Sequence, residues 1–332
     1  MPSFPNVSNS RTVSLHWRGK DAWRQRRVET SEPSVAWSTP DGQGVLYRGD
    51  NLPTLRFLGE KTPSKATLVY MDPPFLTNRV HGVRLRKTTA EGSRVSQPAF
   101  DDRWTDQAEF LESIGSRLEA ARDLLAPDGC LVIHVDSKTS HYLRVLGDEI
   151  FGPDSFASEI IWRYRRWPTK TPNFQRVHDV LLRFRKDPKV PPRWTQLFEP
   201  LAASTVATWG VTKQRAEFAK DGRRVRSRST DEKTQGVPLG DVWDIGVIAP
   251  ISRERTGYPS QKPEALLERI MTALTLPGDL VVDPYAGSGT TLAVAARLGR
   301  RFIGIDESEV ALSMASQRLE RMVALPKAGG IT

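Results

Sequence analysis

Five short runs, residues 45–48, 67–71, 131–135, 280–283 and 302–306, are almost wholly apolar, and each is bounded by turn residues. Strands of that kind are buried on both faces, unlike the alternating strands of a half-exposed sheet. Stretches of helical period lie between them. In one, Phe110, Leu111, Ile114, Leu118, Ala121 and Leu125 recur at helical spacing until Pro127-Asp128-Gly129 ends the element. In another, Pro263 opens a helix carrying Leu266, Leu267, Ile270, Met271 and Leu274 on one face, and Pro277-Gly278 stops it. Residues 291–298 and 309–322 give two more. The alternation predicts an α/β fold, a mostly parallel sheet with helices on both faces.

The 332 residues are 38% hydrophobic and 26% charged, which supports a packed core and excludes wholesale disorder. Residues 1–44 are polar and contain Trp17, Trp23, Trp37 and a basic cluster, Arg24, Arg26 and Arg27, so they read as an arm, partly disordered, with no secretory signal. No apolar run approaches the roughly 20 residues that span a bilayer, so no membrane partner is expected. A single cysteine, Cys130, excludes an intrachain disulfide and a cysteine zinc site, and fits a cytoplasmic location. The five histidines show no zinc spacing, and no metal is expected.

The net charge of +9 is localised. Residues 161–233 hold 18 Lys and Arg against 7 Asp and Glu, more than the whole excess, together with Trp162, Trp167, Trp194 and Trp209. Basic residues interleaved with aromatics suit a polyanion, although a solvated surface has the same composition. Between about 187 and 240 the strand and helix alternation gives way to Pro, Ser, Thr, Gly and Arg, which marks an insertion. A second basic run comprises Arg79, Arg84, Arg86, Lys87 and Arg94.

Two motifs carry chemistry. In LVVDPYAGSGTT, residues 280–291, a buried strand runs through Asp283, Pro284 and Tyr285 into Gly287, Ser288 and Gly289, and then into a helix at Thr290 and Thr291. Glycines there allow close backbone approach, and the helix start offers unpaired N–H groups to an electronegative ligand. A phosphate loop would need a lysine after Gly289, and a dinucleotide fingerprint a glycine at Leu292; both are absent. The next strand ends in Asp306, which could accept from two ribose hydroxyls or cap the following helix. In TLVYMDPPFLTN, residues 67–78, a strand delivers Asp72, Pro73, Pro74 and Phe75. The prolines remove two N–H donors, leaving carbonyls and the Asp72 carboxylate as acceptors beside an aromatic ring. That set suits a planar base bearing an amine.

The two motifs resemble those of the DNA amino-methyltransferases, which move a methyl group from S-adenosylmethionine to an exocyclic base nitrogen. DPPF resembles their catalytic tetrapeptide, and DPYAGSGTT their donor-binding loop. DPPF precedes the glycine loop, with the basic insertion between, as in the permuted beta class. AFDDRWTDQAEFL, LLAPDGCLVIHVDSK, HDVLLRFRK and GYPSQKPEALLERI extend the resemblance over residues 45–321. It implies a Rossmann-like, seven-stranded, mostly parallel sheet with circularly permuted motif order. Residues 45–186 would be the catalytic half, 187–240 a target-recognition insertion, 241–324 the donor-binding half and 325–332 a tail.

By the same resemblance Lys262 would meet the donor's carboxylate, and Asp50 would lie near its adenine. Asp opening the tetrapeptide points to adenine N6 over cytosine N4, the alternative acceptor. Leu76 stands where many relatives have Asn, and Tyr285 where Phe is usual. A DNA-binding protein that keeps the fold without turnover is the reading from another class. The partner would be duplex DNA with its target base flipped out; a homodimer and a cognate restriction endonuclease are further partners it admits. Residues 76–104, too long for an ordinary connection, would form a mobile loop that closes over the base. Arg79, Arg84, Arg86 and Lys87 on it, with Arg163, Arg165, Arg166, Arg223, Arg224, Arg226 and Arg228, would contact DNA.

Overall fold

The computed structural model describes residues 13–20, 23, 30, 32–61, 65–88, 94–170, 172–211, 216–226 and 232–324. In chain order these form β1 (Ser34–Ser38), β2 (Gly44–Arg48), α1 (Asn51–Lys61), β3 (Ala66–Met71), β4 (Arg79–Thr88), β5 (Arg94–Asp102), α2 (Gln107–Leu124) and β6 (Leu125–Asp136). Then follow α3 (Ser140–Phe151), β7 (Phe156–Arg163), β8 (His178–Arg185), β9 (Phe198–Glu199), α4 (Ala203–Trp209), β10 (Ala216–Phe218), β11 (Arg224–Arg226) and β12 (Val237–Pro238). The chain ends through β13 (Val242–Asp244), α5 (Glu264–Leu274), β14 (Leu280–Asp283), α6 (Thr290–Arg297), β15 (Arg301–Asp306) and α7 (Glu309–Ala324).

The main sheet has nine strands in the order β1-β2-β15-β14-β3-β6-β8-β7-β13. All run parallel except β1, antiparallel to β2, and β8, antiparallel to both β6 and β7. The seven strands from β2 to β7 match the expected Rossmann-like sheet, and β1 and β13 extend its edges. Every residue of β3 and of β14 is buried, as their continuous apolarity requires.

These two strands decide where the site lies. They pair in parallel, Val281 opposite Leu68 and Val282 opposite Val69. From β14 the chain passes through α6 to β15 on one side; from β3 it passes through α2 to β6 on the other. Connections leaving in opposite directions open a crevice at the carboxyl ends of the strands.

Two expectations need correction. Within residues 76–104, expected as a loop, β4 and β5 pair antiparallel, from Arg79 opposite Asp102 to Thr88 opposite Arg94. Val83 and Ala99 are buried on this pair, which gives the hairpin an apolar face. The described part of the arm is tied down as well. Trp23 is buried against α2, where a Cβ on Gly115 would lie 2.5 Å from its ring. The Leu15 N–H donates to Glu149 at 2.7 Å, the Trp17 indole donates to Glu112 at 3.2 Å, and Lys20 forms an ion pair with Glu149 away from solvent. Burial of tryptophan anchors a segment whose polar composition reads as an arm.

Residues 195–240 form a separate compact unit that contains α4 and its own β9–β12 and β10–β11 pairs. Among the described residues no helix is long and apolar enough to cross a membrane.

Candidate functional site

A cavity of about 290 Å³ opens at the carboxyl ends of β3, β14 and β15. It is lined by Asp72, Pro73, Pro74 and Phe75 after β3, by Asp283 through Ser288 with Thr290 and Thr291 around the glycine turn, and by Asp306, Asp50 and Lys262. The structure thus brings together residues some two hundred positions apart. Gly289 is the one residue of the expected donor set that does not line it.

At the tetrapeptide, Lys262 donates to Asp72 Oδ2. Its ammonium also lies 3.3 Å from the Ser260 carbonyl and 5.1 Å from the centre of the Phe75 ring. The resemblance assigns Lys262 to the donor's carboxylate; in the structure it is held on Asp72. The other carboxylate oxygen, Asp72 Oδ1, is buried and has no hydrogen-bond partner among the described residues. Such an atom is costly unless a ligand supplies a donor.

Behind Phe75 lies a buried polar chain. The His134 ring is centred 5.9 Å from the Phe75 ring, its Nδ1 is 2.8 Å from the Tyr70 hydroxyl and its Nε2 is 3.4 Å from Asp179. The Tyr164 hydroxyl donates to the other Asp179 oxygen at 2.9 Å. Burial pushes the His134 pKa down, and the nearby Lys262 charge pushes the same way. The imidazole is therefore a neutral support for Phe75.

The turn after the tetrapeptide is held by a residue the sequence reading passed over. Asp102, at the end of β5 and 1% exposed, accepts from the N–H groups of Phe75 (3.2 Å), Leu76 (2.9 Å) and Thr77 (2.8 Å). It also accepts from the Thr77 hydroxyl (2.5 Å) and the Trp104 indole (3.0 Å). Leu76 and Asn78 sit at φ 57° and 55°, a left-handed region that asparagine tolerates but leucine enters only when its surroundings impose it. AFDDRWTDQAEFL contains Asp102, but its reach to Phe75 depends on the hairpin folding back.

Around the glycine turn, Asp306 Oδ2 accepts from the Gly287 N–H at 2.8 Å and Oδ1 from the Ser308 N–H at 2.9 Å. Ser308 caps α7 through the Ala311 N–H, so Asp306 itself is left at the strand tip facing the cavity. Burial raises its pKa to about 6 against the opposing pull of those N–H bonds. Burial raises Asp283 to about 7, opposed by the Thr291 hydroxyl and the Tyr285 N–H. Gly287, at φ 51°, lies under Tyr258, whose ring would be 3.0 Å from an added Cβ. Gly289, at φ 73°, serves packing: its Cβ would meet that of Ala315 on α7 at 2.9 Å. The close approach expected there is made by a helix.

Asp50 accepts from the Leu52 N–H at 3.0 Å and from Arg117 at 2.8 Å, with its side chain half exposed. Next to it Asn51, which the sequence reading passed over, donates to the Pro284 carbonyl at 2.7 Å and accepts from Arg117. These bonds tie α1 to the donor-loop turn. Tyr285 packs against the core with its pKa pushed up to about 12 by burial. Thr290 accepts from Arg318 at 3.0 Å.

Of the arginines expected on DNA, Arg79 begins β4, Arg163 forms an exposed ion pair with Asp244, and Arg166 donates to the Tyr164 hydroxyl at 3.0 Å. Arg165 is exposed, and Arg223 pairs with Asp221. Arg84, Arg86 and Lys87 lie on β4, and Arg224 and Arg226 on β11, with their side chains outside the description; Arg228 lies outside the described residues.

A family model described as DNA methylase, covering the N6 and N4 enzymes, matches residues 66–317. The chain belongs to the N6-adenine/N4-cytosine DNA methylase family. The match takes in DPPF, the glycine turn and Asp306. Within this family the chain is 28% identical over 302 residues to the Type II methyltransferase M.EcaI of Enterobacter cloacae, covering 76% of this chain and 64% of that protein. The chain therefore spans under two thirds of M.EcaI. It is 26% identical over 278 residues to the DNA adenine methyltransferase YhdJ of Escherichia coli (strain K12), covering 83% of this chain and 82% of YhdJ. The fold is similar to that of PvuII DNA methyltransferase (cytosine-N4-specific), with a TM-score of 0.56 at 17% identity over 90% of this chain and 91% of that one. It is also similar to the M1.HpyAVI-SAM complex, with a TM-score of 0.50 at 20% identity over 82% and 98% of the two chains.

Proposed function

We propose that this DNA methylase transfers a methyl group from S-adenosylmethionine to the exocyclic N6 of adenine in DNA. The observation that carries the reading is Asp72, which lines one cavity with the glycine turn and whose Oδ1 has no hydrogen-bond partner among the described residues. An exocyclic amine is a poor nucleophile because its lone pair is delocalised into the ring. Hydrogen bonds to both amine hydrogens draw the nitrogen towards tetrahedral geometry and expose that pair. Asp72 Oδ1 and the Pro73 carbonyl are the acceptors. Lys262 occupies Oδ2, which leaves Oδ1 as the accepting atom, and Phe75, backed by His134, offers the ring on which the base stacks.

The donor residues fit a nucleoside. Asp306 is an acceptor at the tip of β15 for ribose hydroxyls, and Gly287 keeps the turn open beneath Tyr258. Asp50, Tyr285 and the cavity-lining turn residues Asp283, Pro284, Gly287, Ser288, Thr290 and Thr291 would hold the rest. S-adenosylmethionine supplies a sulfonium methyl that is already electrophilic, so in-line positioning is the main remaining requirement. A base inside a duplex cannot enter such a crevice, so the target is flipped out at about a few kcal/mol.

Adenine is favoured by the aspartate that opens DPPF, and the likeness to YhdJ supports it. The Type II name of M.EcaI supports a partnership with a restriction endonuclease. Nucleoside mass spectrometry of DNA treated with the protein and labelled donor tests the reading. N6-methyladenine is expected; N4-methylcytosine alone would move the acceptor to cytosine, and no label in DNA would end the proposal.

A further inference from the structure

The connection from β7 to β8, residues 164–177, leaves the sheet at the same end of the strands as the tetrapeptide. β7 is antiparallel to β8, β8 is antiparallel to β6, and β6 is parallel to β3, so the end of β7 and the end of β3 point the same way. This connection carries Trp167 at 89% exposure and Phe174 at 99%. Two large aromatic rings left in water on one short loop are unusual where neither belongs to a core. Arg165, Arg166 and Lys170 around them are exposed too.

The loop is built. The Trp167 carbonyl accepts from the Gln175 side-chain amide at 2.7 Å and from the Thr169 hydroxyl at 3.3 Å, which ties the arm bearing Trp167 to the arm bearing Phe174. At its base the Tyr164 N–H donates to the Val177 carbonyl at 2.9 Å, and Arg176 pairs with Asp136 at 2.5 Å. The Tyr164 hydroxyl bonds Asp179, which contacts His134, which packs on Phe75. A continuous set of contacts thus joins the root of the loop to the tetrapeptide.

We propose that this loop is the wedge of the enzyme. The aromatic residues of its two arms, Trp167 and Phe174, enter the base stack of duplex DNA where the target base has left, while Arg165, Arg166 and Lys170 hold the adjoining phosphates. An aromatic ring replaces the stacking that extrusion removes and keeps the vacated step from closing. The inference rests on the reading of the chain as a DNA methyltransferase, and it names the group that stabilises the open duplex.

The test compares the wild type with a Trp167→Ala/Phe174→Ala double variant on two duplexes containing the mapped target sequence. One is fully paired; in the other the target base faces an abasic site. On the paired duplex the double variant should slow single-turnover methyl transfer at least about tenfold. On the abasic duplex, where no pair has to be broken, it should stay within about twofold of wild type. Trp167→Phe should restore most of the rate on paired DNA. Unchanged transfer on paired DNA overturns the proposal, and so does an equal loss on both duplexes, which would mean a role in general binding or in contact with another partner. A wild type that methylates neither duplex would instead overturn the parent reading and the wedge with it.

Discussion

Asp102→Asn separates the support of the tetrapeptide turn from the carboxylate proposed to act in the chemistry, Asp72. In the wild type one Asp102 oxygen accepts from Leu76 and Trp104, and the other from the Phe75 N–H, the Thr77 N–H and the Thr77 hydroxyl. Asparagine keeps one oxygen and turns the other into an NH₂ group facing those donors, so two or three bonds are lost whichever way the amide flips. At about 1–1.5 kcal/mol net for each, allowing for partial replacement by water, the turn loses about 2–4.5 kcal/mol. Holding Leu76 at φ 57° costs about 1–2 kcal/mol. The loss is as large as the strain it restrains, so the turn relaxes and Phe75 with it. If 1.4–2.8 kcal/mol of that appears as a lower population of the competent turn, transfer falls by about 10- to 100-fold. Single-turnover methyl transfer measures the rate, urea denaturation the stability and calorimetry the donor affinity. Donor affinity should hold, because none of these bonds reaches the glycine turn. A rate within twofold of wild type would refute the reasoning, and an equal loss of donor affinity would show that Asp102 supports the whole cavity.

Three more outcomes follow from the site. Asp72→Ala removes the unpartnered acceptor and should abolish methyl transfer while donor binding by calorimetry stays within about threefold of wild type; ordinary turnover would take Asp72 out of the chemistry. Gly289→Ala puts a Cβ against Ala315 at φ 73° and should lower the stability of the empty protein by about 1–3 kcal/mol in urea denaturation, and an unchanged midpoint would contradict the packing role. In the proposed ribose contact an ionised Asp306 accepts from both hydroxyls more strongly than the protonated acid, which turns one oxygen into a donor, so donor affinity should rise as pH climbs through about 6, with protons released on binding near that pH; an affinity flat across the window argues against the contact. The same raised values work against the empty fold: it gains from Asp306 and Asp283 below the ordinary carboxylate range and loses that contribution as pH rises through about 6 and about 7.

The strands that were legible in the sequence are those with unbroken apolar runs, such as β3 and β14, where burial on both faces leaves one solution. β8 is just as central, but Arg183 sits within it, buried, with its guanidinium 5.1 Å from the Trp194 ring, and a charge in the run hides the strand. α1 carries Pro53 in its first turn and buries the polar Asn51 and Thr54, and α3 uses Gly147 to admit the Phe184 ring; neither shows an uninterrupted apolar stripe. The tetrapeptide and the glycine turn were readable because each needs particular residues locally. Their meeting depends on the pairing of Val281 with Leu68, and the Asp102 anchor on the register of a hairpin, both long-range facts that no local pattern encodes. Gly289 shows the converse: the glycine is recognisable, but whether it makes room for a ligand or for Ala315 is set by α7.

The claim that one cleft holds both reactants can be measured with a bisubstrate compound in which the donor's sulfur position is joined through a short linker to N6 of adenosine. Calorimetry should find it bound at least about a hundredfold more tightly than the donor half alone, since a linked second half binds intramolecularly. Asp72→Ala and Asp306→Ala should each weaken it. Affinity no better than that of the donor half, indifferent to Asp72→Ala, would contradict the account.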